Sequence, residues 1–283
     1  MIPIEQYGTV ETAWCPGCGN FSINKAIKKA LSTLDLPPHK VLICSGIGQA
    51  AKSPHYLRCN CFNGLHGRSL PPAQGAALAN TEVTVFAESG DGCSYGEGGN
   101  HFLAAMRRNV TMTYLVHDNQ IYGLTKGQAS PTTAQGQATK FQPWGTPSMP
   151  FNLVAVAVTM DVPFVARAYA AEADHLADII VQAARHPGFA LVDILQPCVS
   201  FNKVNTYAWY KERCYKLGQD HDPTDWQQAM IKAQEFGERI PIGVIYKGSR
   251  QPYEQRMVSS VRRPLATSKP DMTVLADILE GYA

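Results

Sequence analysis

The stretch Val83-Thr-Val-Phe-Ala-Glu-Ser-Gly-Asp-Gly92 is a short apolar run that ends in a Gly-Asp-Gly turn. A second apolar run covers residues 112–117 and leads to Asn119. Apolar runs of this length, bounded by turn residues, are typical of strands that are buried on both faces. Similar runs at residues 40–45, 164–168 and 189–195 alternate with helical patterns at 21–34, 73–79, 101–108 and 171–184. This alternation predicts an α/β fold, a mostly parallel sheet with helices on both faces.

The turns after the two quoted strands carry oxygen ligands suited to a divalent cation. Ligands of parallel sheets bind beyond the carboxyl ends of strands, and Asp91 and Asn119 follow two successive strands. Magnesium prefers oxygen ligands, usually one or two carboxylates together with phosphate oxygens and water. Gly90 and Gly92 would let a diphosphate approach the main chain. We therefore predict a magnesium–diphosphate site, and an ordinary Gly-Asp-Gly turn is the alternative.

A nicotinamide dinucleotide site is a weaker interpretation of another turn. Gly46-Ile-Gly48-Gln-Ala-Ala51 follows a predicted strand and resembles part of a dinucleotide fingerprint. That fingerprint needs an acidic residue about 20 residues further on, which binds the ribose. No Asp or Glu occurs between Asp35 and Glu82. Close approach of a phosphate, or tight packing, explains these glycines better.

Paired cysteines near the start of the chain indicate a second kind of site. Cys15-Pro-Gly-Cys18 lies ahead of the first predicted helix, for which Asn20 is the expected N-cap. The chain has eight cysteines, and in a reducing compartment paired cysteines more often bind metal or carry redox chemistry than form disulfides. Cys93 and Cys214 are interpreted as ordinary packed thiols.

Length and composition restrict the remaining possibilities. The 283 residues can bury a full core, and we expect one domain over 1–203 that carries both sites, with 204–283 as a helical extension packed on it. A formal charge of +2 and a charged fraction of 17% give no electrostatic footprint for nucleic acid. No apolar stretch is long enough to span a membrane, and residues 1–12 lack a secretory pattern, so we expect a cytoplasmic protein. Residues 129–149 are expected to form a long loop, and loops of that length are usually functional or mobile.

Several longer motifs resemble one known family. Ser89-Gly-Asp-Gly with Asp118-Asn-Gln-Ile-Tyr-Gly-Leu-Thr is similar to the thiamine diphosphate motif. The chain resembles the β subunit of 2-oxoacid:ferredoxin oxidoreductases more closely. The motifs that carry this resemblance are Trp14-Cys-Pro-Gly-Cys-Gly-Asn20, Phe62-Asn-Gly-Leu-His-Gly-Arg68, Gly98-Gly-Asn-His-Phe102 and Tyr122-Gly-Leu-Thr-Lys-Gly-Gln-Ala-Ser-Pro-Thr132. The similarity runs over residues 12–203. The Thr-Lys-Gly-Gln-Ala-Ser-Pro form favours the members that act on 2-oxoglutarate.

The resemblance implies roles for individual residues. Magnesium would be bound by Asp91, Asn119 and the carbonyl of Ile121. The residues expected to line the thiamine diphosphate are Gly48, His66, Gly67, Gly90, Asp91, Gly92, Asn119, Ile121, Gly123 and Leu124. Lys52 and Lys126 are the candidate catalytic residues, because an ammonium group can bind a carboxylate of the substrate. Exposed surface charge is the alternative for both lysines, and a structural imidazole is the alternative for His66.

The resemblance also implies a 4Fe-4S cluster, which needs four thiolates. The expected ligands are Cys15, Cys18, Cys59 and Cys198. Many members carry a cysteine directly after the Gly-Ile-Gly turn, where this chain has Gln49. The third ligand is therefore open, with Cys44, Cys61 or no cysteine at all as alternatives to Cys59. A structural zinc site is the alternative to the cluster as a whole.

The activity implied by the resemblance is oxidative decarboxylation of a 2-oxoacid. Coenzyme A takes the acyl group and ferredoxin takes the electrons, so 2-oxoglutarate would give succinyl-CoA, and the reverse reductive carboxylation is also open. Pyruvate or a broad range of 2-oxoacids is the alternative substrate. We expect an α subunit that supplies the activating Glu, in an αβ heterodimer or a dimer of such heterodimers.

Two interpretations from other classes compete with this activity. A non-oxidative thiamine-dependent decarboxylase or synthase would have no use for Cys15 and Cys18. A non-catalytic metal-binding scaffold would leave Asp91 and Asn119 without a role.

Overall fold

The computed structural model describes residues 1–257, 264–269 and 272–282. These residues form a sheet of eight strands: β1 (Val41–Ser45), β2 (Asn60–Asn63), β3 (Thr84–Gly90), β4 (Met112–Asp118), β5 (Phe164–Tyr169), β6 (Phe189–Leu195), β7 (Cys214–Lys216) and β8 (Ile240–Lys247). Their spatial order is β2-β1-β3-β4-β6-β5-β8-β7, and neighbouring strands are parallel except β5 and β8. The predicted α/β fold with a mostly parallel sheet is confirmed.

Helices cover both faces of this sheet. One face is packed by α1 (Asn20–Thr33) and α5 (Ala173–Arg185). In α1 the buried side chains Ile23, Ile27, Ala30 and Leu31 recur at intervals that place them on one side of the helix. The other face is packed by α2 (Leu70–Ala79), α3 (Gly99–Arg108), α4 (Leu153–Thr159) and α7 (Trp226–Gln234). Three further helices are α6 (Tyr207–Arg213), α8 (Tyr253–Arg256) and α9 (Met272–Glu280).

The register of the central strands positions the predicted cation ligands. β3 and β4 are parallel, and Gly90 at the end of β3 lies opposite His117 near the end of β4. Asp91 and Asn119 therefore leave adjacent strands at the same edge of the sheet. None of the described helices is long and apolar enough to cross a membrane.

The C-terminal region differs from the expected helical extension over 204–283. It contributes β7 and β8, and β8 pairs antiparallel with β5 inside the sheet. Pro241 and Gly243 interrupt the pattern of β8, because Pro cannot donate to a ladder and Gly weakens a strand. Gly243 has φ +139, and the pairing with β5 has an irregularity between Val165 and Ala166. The prediction of a helical extension over 204–283 is wrong because this region contains β7 and β8, and the irregular pattern of β8 hid the strand in the sequence.

Two smaller predictions have different outcomes. The described chain has no helix or strand between β4 and α4 apart from an isolated bridge between Tyr122 and Gln128, so the long loop over 129–149 is confirmed. Asn20 is not the N-cap of α1. Gly19 holds that position, and the Asn20 Oδ1 atom instead lies 2.8 Å from His117 Nδ1 and accepts a hydrogen bond from Gln196 Nε2 at 2.9 Å.

Candidate active site

A cavity opens at the carboxyl ends of β1, β3 and β4. Most of the predicted cofactor residues line it: Gly48, His66, Gly90, Asp91, Gly92, Asn119, Ile121, Gly123 and Leu124. Gly67 is not among the lining residues, but its amide donates a hydrogen bond at 3.1 Å to Cys93 Sγ, and Cys93 lines the cavity. Cys93 thus holds the Gly67 turn against the cavity, which the interpretation as an ordinary packed thiol missed.

Asp91 is buried at the start of a π-helical turn over Gly92–Glu97. Its Oδ2 atom accepts a hydrogen bond of 2.7 Å from the hydroxyl of Thr132. Burial raises the pKa of the Asp91 carboxyl, and hydrogen bonds from Ser130, Thr132 and the Gly92 backbone oppose that rise. A cation bound at this carboxylate would replace the lost solvation and favour the ionised form.

Asn119 is held in a compact turn at the end of β4. Its Oδ1 atom accepts from the backbone N–H of Ile121 at 3.1 Å, and its carbonyl accepts from Asn202 Nδ2 at 3.0 Å. Gln120 has a left-handed backbone (φ +57), and its Nε2 donates to Tyr210 Oη at 2.7 Å. These contacts fix the amide of Asn119 beside Asp91, as the sheet edge predicts.

The main chain around the cavity leaves room for a diphosphate. A Cβ added at Gly48 would meet nothing within 4 Å, and one at Gly90 would meet only the His117 carbonyl oxygen, at 3.9 Å. The hydroxyl of Ser89 is buried without a hydrogen-bond partner. A buried carboxylate, a neighbouring amide and open glycine backbone are the features that magnesium diphosphate requires, so the residues present fit this group.

Gly67 is required by the packing of its turn. It has φ +70, and an added Cβ would lie 2.5 Å from the backbone carbon of Glu97 and 2.6 Å from the Gly98 nitrogen. We expect Gly67→Ala to lower the free energy of unfolding by at least about 1–3 kcal/mol, because left-handed backbone alone costs that much and the clash adds to it. Urea unfolding of the purified chain measures the change.

Gly75→Ala is the matched control for Gly67→Ala. Gly75 lies in α2, and an added Cβ would meet nothing within 4 Å. Alanine in a helix should raise the free energy of unfolding by about 0.5–1 kcal/mol. Equal effects of the two substitutions would contradict the packing described at Gly67.

A group of buried ionisable side chains lies behind Asp91 and was not predicted. Thr132 Oγ1 lies 2.7 Å from Asp91 Oδ2 and 2.8 Å from Asp118 Oδ1. A hydroxyl has one proton to donate, so one of the two acids must be protonated to complete both hydrogen bonds. Burial and the charges of Asp193 and Asp91 raise the pKa of Asp118 well above its ordinary value.

Asp193 in this group has two partners. Arg167 Nε lies 3.8 Å from Asp193 Oδ2, and the Tyr95 hydroxyl donates to Asp193 Oδ1 at 3.0 Å. Burial raises the pKa of Asp193, whereas the Arg167 charge and the Tyr95 hydrogen bond lower it. The sequence signal for this group was a charged residue inside each of the apolar runs of β5 and β6. Because buried charges need partners, these residues indicate a buried group of interacting charges.

Thr132 connects the long loop to the predicted magnesium ligand. We expect Thr132→Val to weaken magnesium-dependent binding of thiamine diphosphate about 10–100-fold, the usual cost of losing a hydrogen bond behind a metal ligand. Calorimetric titration measures the affinity. Thr159→Val is the control, because the Thr159 hydroxyl donates only to the carbonyl of Ala155 within α4. Unchanged affinity in Thr132→Val would contradict the positioning role.

A second cavity adjoins the first and contains cysteines. Its lining includes Cys15, Cys18 and Cys198, together with Gln49 and Gln196. Gln196 Nε2 lies 3.5 Å from Cys18 Sγ and donates to it. Burial raises the pKa of the Cys18 thiol, and the neighbouring Cys198 and Cys15 thiols raise it further. Among the described residues, no three or more His, Cys, Asp or Glu side chains form a group that could hold a single metal ion as they stand.

The other candidate cluster ligands lie elsewhere. Cys59 packs against the core formed with α1 and α5, and burial raises the pKa of its thiol to about 12. Cys44 is buried in β1, in the core on the opposite face of the sheet. Cys61 lies in the exposed strand β2. None of these three lines the cavity with Cys15, Cys18 and Cys198.

The candidate catalytic lysines flank the cavities without lining them. Lys52 lies in a 3-10 segment, Ala50–Tyr56, that follows Gln49. Lys126 is exposed and has a left-handed backbone, φ +80. Such strained non-glycine residues cluster at functional sites, so the Lys126 turn fits a role in binding.

Comparisons with known proteins agree with this arrangement. Residues 44–194 match the family model "Thiamine pyrophosphate enzyme, C-terminal TPP binding domain". Residues 198–260 match the model for the C-terminal part of the pyruvate ferredoxin oxidoreductase β chain. The two models meet between β6 and the C-terminal strands.

Characterised relatives and a solved structure extend the match to nearly the whole chain. The 2-oxoacid:ferredoxin oxidoreductase subunit beta of Saccharolobus solfataricus is 43% identical over 261 residues, covering 86% of this chain and 85% of the relative. The 2-oxoglutarate oxidoreductase subunit KorB of Mycobacterium tuberculosis is 42% identical over 202 residues, 71% of this chain and 54% of the relative. The 2-oxoglutarate:ferredoxin oxidoreductase from Magnetococcus marinus, with 2-oxoglutarate, coenzyme A and succinyl-CoA bound, is 34% identical with a TM-score of 0.91, covering 98% and 96% of the two chains. This chain therefore belongs to the β subunits of the 2-oxoacid:ferredoxin oxidoreductases.

Proposed function

We propose that this β subunit binds magnesium thiamine diphosphate and an iron–sulfur cluster, and that its complex oxidises 2-oxoglutarate. In that reaction 2-oxoglutarate and coenzyme A give succinyl-CoA and carbon dioxide, and ferredoxin takes up two electrons; the reverse direction uses the same site. The observation that carries the proposal is that Asp91 and Asn119 line one cavity, directly beside the cavity that contains Cys15, Cys18 and Cys198.

The chain's own residues hold the cofactor's diphosphate end. Asp91, Asn119 and the Ile121 carbonyl, which line the cavity, would bind magnesium, and the open backbone at Gly48 and Gly90 would admit the phosphates. When bound, thiamine diphosphate supplies the carbanion chemistry that removes carbon dioxide from a 2-oxoacid. Gly92 and Tyr122 form a closed wall, since a Cβ at Gly92 would lie 2.3 Å from the Tyr122 ring. Tyr122 in turn donates to Glu97 at 3.1 Å.

Adjacent cavities suit transfer of single electrons. Gly123 and Asn119 line both cavities, so one turn separates the thiamine site from the cysteines. An iron–sulfur cluster held there would accept electrons one at a time, and charge and hydrogen bonds to its sulfurs would tune its potential. Gln196 supplies one such hydrogen bond, to Cys18.

The active site requires a group from a partner chain. Asp91 is the one carboxylate among the described residues that line the thiamine cavity, and it is directed to magnesium and Thr132. We propose that the Glu that activates the aminopyrimidine comes from the α subunit. The isolated β subunit should not turn over, and an αβ complex should.

The choice of 2-oxoglutarate rests on the relatives and on the lysines. KorB of Mycobacterium tuberculosis and the structure from Magnetococcus marinus both concern 2-oxoglutarate. A second carboxylate distinguishes this acid from pyruvate. Lys52 and Lys126 are two cations in segments that adjoin lining residues, and we assign the carboxylate-binding role to them.

The test is viologen reduction by the reconstituted complex with a panel of 2-oxoacids and coenzyme A. We expect the highest kcat/KM for 2-oxoglutarate, and no reduction by the β subunit alone. Preference for pyruvate would overturn the substrate assignment. Decarboxylation without viologen reduction would favour a non-oxidative thiamine enzyme, and turnover by the isolated chain would overturn the need for a partner.

A further inference from the structure

We propose that the cysteine cavity binds its iron–sulfur cluster through three thiolates, Cys15, Cys18 and Cys198, and that the carboxamide of Gln49 faces the fourth iron. The proposal rests on the proposed function, because it assumes that the cavity holds such a cluster. It departs from the four-thiolate ligation that a four-iron cluster ordinarily needs.

The first argument is where the eight cysteines lie, all of them in the described part of the chain. Three line the cavity. The other five lie elsewhere: Cys44 and Cys61 on β1 and β2, Cys59 against the α1 and α5 core, Cys93 in the thiamine cavity and Cys214 on β7. This chain therefore offers the cavity three thiolates and no fourth.

The second argument is the geometry of Gln49. Its carbonyl oxygen accepts a hydrogen bond of 2.9 Å from Trp14 Nε1. The Trp14 ring is buried and packs edge-on against Phe21 and Tyr56, at centroid distances of 5.4 and 4.8 Å. The backbone of Gln49 is thus tied to the segment that carries Cys15 and Cys18. Gln49 lines the cysteine cavity and also the adjoining thiamine cavity.

The third argument is that Gln49 Oε1 is buried without a hydrogen-bond partner. A buried acceptor left unpaired is costly, and such atoms often mark a missing ion or water. Asn20 Nδ2 and Gln196 Oε1, which belong to residues of the same cavity, are also buried without partners. A cluster with sulfides and one iron-bound water would supply acceptors and donors to all three atoms.

The chemical consequence is a labile iron. An iron bound by an amide oxygen or by water is held less firmly than one bound by thiolate, because soft sulfur ligands suit iron–sulfur clusters. Oxidation by ferricyanide would then convert a four-iron cluster of charge 2+ to a three-iron cluster of charge 1+. One Fe²⁺ leaves, and one electron passes to ferricyanide. The inorganic sulfides and the three thiolates remain in place.

The experiment compares αβ complexes purified without oxygen, carrying wild-type β, Gln49→Cys, Cys59→Ser or Cys198→Ser. Each is treated with ferricyanide and a chelator, and iron, sulfide and the electron paramagnetic resonance spectrum are measured. We expect wild type and Cys59→Ser to lose about a quarter of their iron and to show a three-iron signal. Gln49→Cys should retain its iron and show no such signal. Cys198→Ser should contain much less iron from the start.

Each alternative result has a distinct meaning. If wild type keeps all its iron, a fourth thiolate is present and the inference is overturned, whereas the proposed function stands. If Cys59→Ser loses its cluster, Cys59 is a ligand and the inference is again overturned. If all variants lack iron and sulfide, the proposed cluster itself fails, and the inference fails with it.

Discussion

Asp91→Asn should abolish turnover of the αβ complex and weaken magnesium-dependent binding of thiamine diphosphate by more than about a hundredfold. Loss of partners that merely support a metal ligand costs about 10–100-fold, and this substitution removes the ligand charge itself. Asp91 is buried and lines the thiamine cavity beside Asn119. Calorimetric titration and viologen reduction measure the two effects.

Stability should respond to the same substitution in the opposite direction. Burial raises the pKa of Asp91, so an ionised carboxylate is unfavourable there without a cation, and Asn removes that cost. We expect the unliganded Asp91→Asn chain to melt at the same temperature as wild type or higher. Magnesium and thiamine diphosphate should raise the melting temperature of wild type and leave the variant unchanged.

Asp174→Asn is the matched control. Asp174 pairs with Lys29 at 2.8 Å on the exposed surface, away from the residues that line the thiamine cavity, and exposed pairs contribute little. Affinity and turnover should stay at wild-type values. If Asp91→Asn also bound the cofactor normally, Asp91 would not be the magnesium ligand.

Arg167→Met should lower the free energy of unfolding by about 3–5 kcal/mol, the usual cost of removing one partner of a buried ion pair. Arg167 is 2% exposed, and it donates to the carbonyls of Glu235 and Ala233 at 3.2 and 3.3 Å. These carbonyls lie at the end of α7, so the guanidinium also ties the C-terminal region to β5. Without it, Asp193 is left as a buried charge beside Asp118.

Urea unfolding of single and double variants tests this explanation. Arg167→Met leaves the buried charge of Asp193 without its partner, and Asp193→Asn removes that charge. The double variant should therefore lose less stability than the sum of the losses in the two single variants. Lys29→Met is the surface control and should have little effect. Strict additivity of the two buried substitutions would show that Arg167 and Asp193 do not act as a pair.

The sequence was sufficient to predict that Asp91 and Asn119 lie together, because the signal is local. Asp91 and Asn119 each follow an apolar strand, and parallel strands end at the same edge. The resemblance to the family likewise implied that Cys15, Cys18 and Cys198 lie together, and the three line one cavity. The sequence pattern could not decide whether Cys59 joins these three cysteines. The distance between Cys59 and the other three depends on which side of the sheet each residue faces.

The buried charges depend on pairings between distant elements, which pattern alone does not give. Arg167 and Asp193 stand in apolar runs, as do Glu88 and His117, whose side chains lie 2.9 Å apart with both buried. A charged residue inside a buried strand predicts that some partner exists. The identity of that partner follows from the order β4-β6-β5 in the sheet. Strand β8 escaped prediction because Pro241 and Gly243 obscure its alternation.

The pairing of β5 with β8 has a consequence for how proteins of this kind can be divided. Two family models split the chain between residues 194 and 198, yet main-chain hydrogen bonds cross that boundary, and Arg167 reaches over it to α7. A gene fragment ending at the boundary would encode a protein with an uncovered ladder edge, which invites aggregation. We therefore expect the two segments to unfold as one cooperative unit.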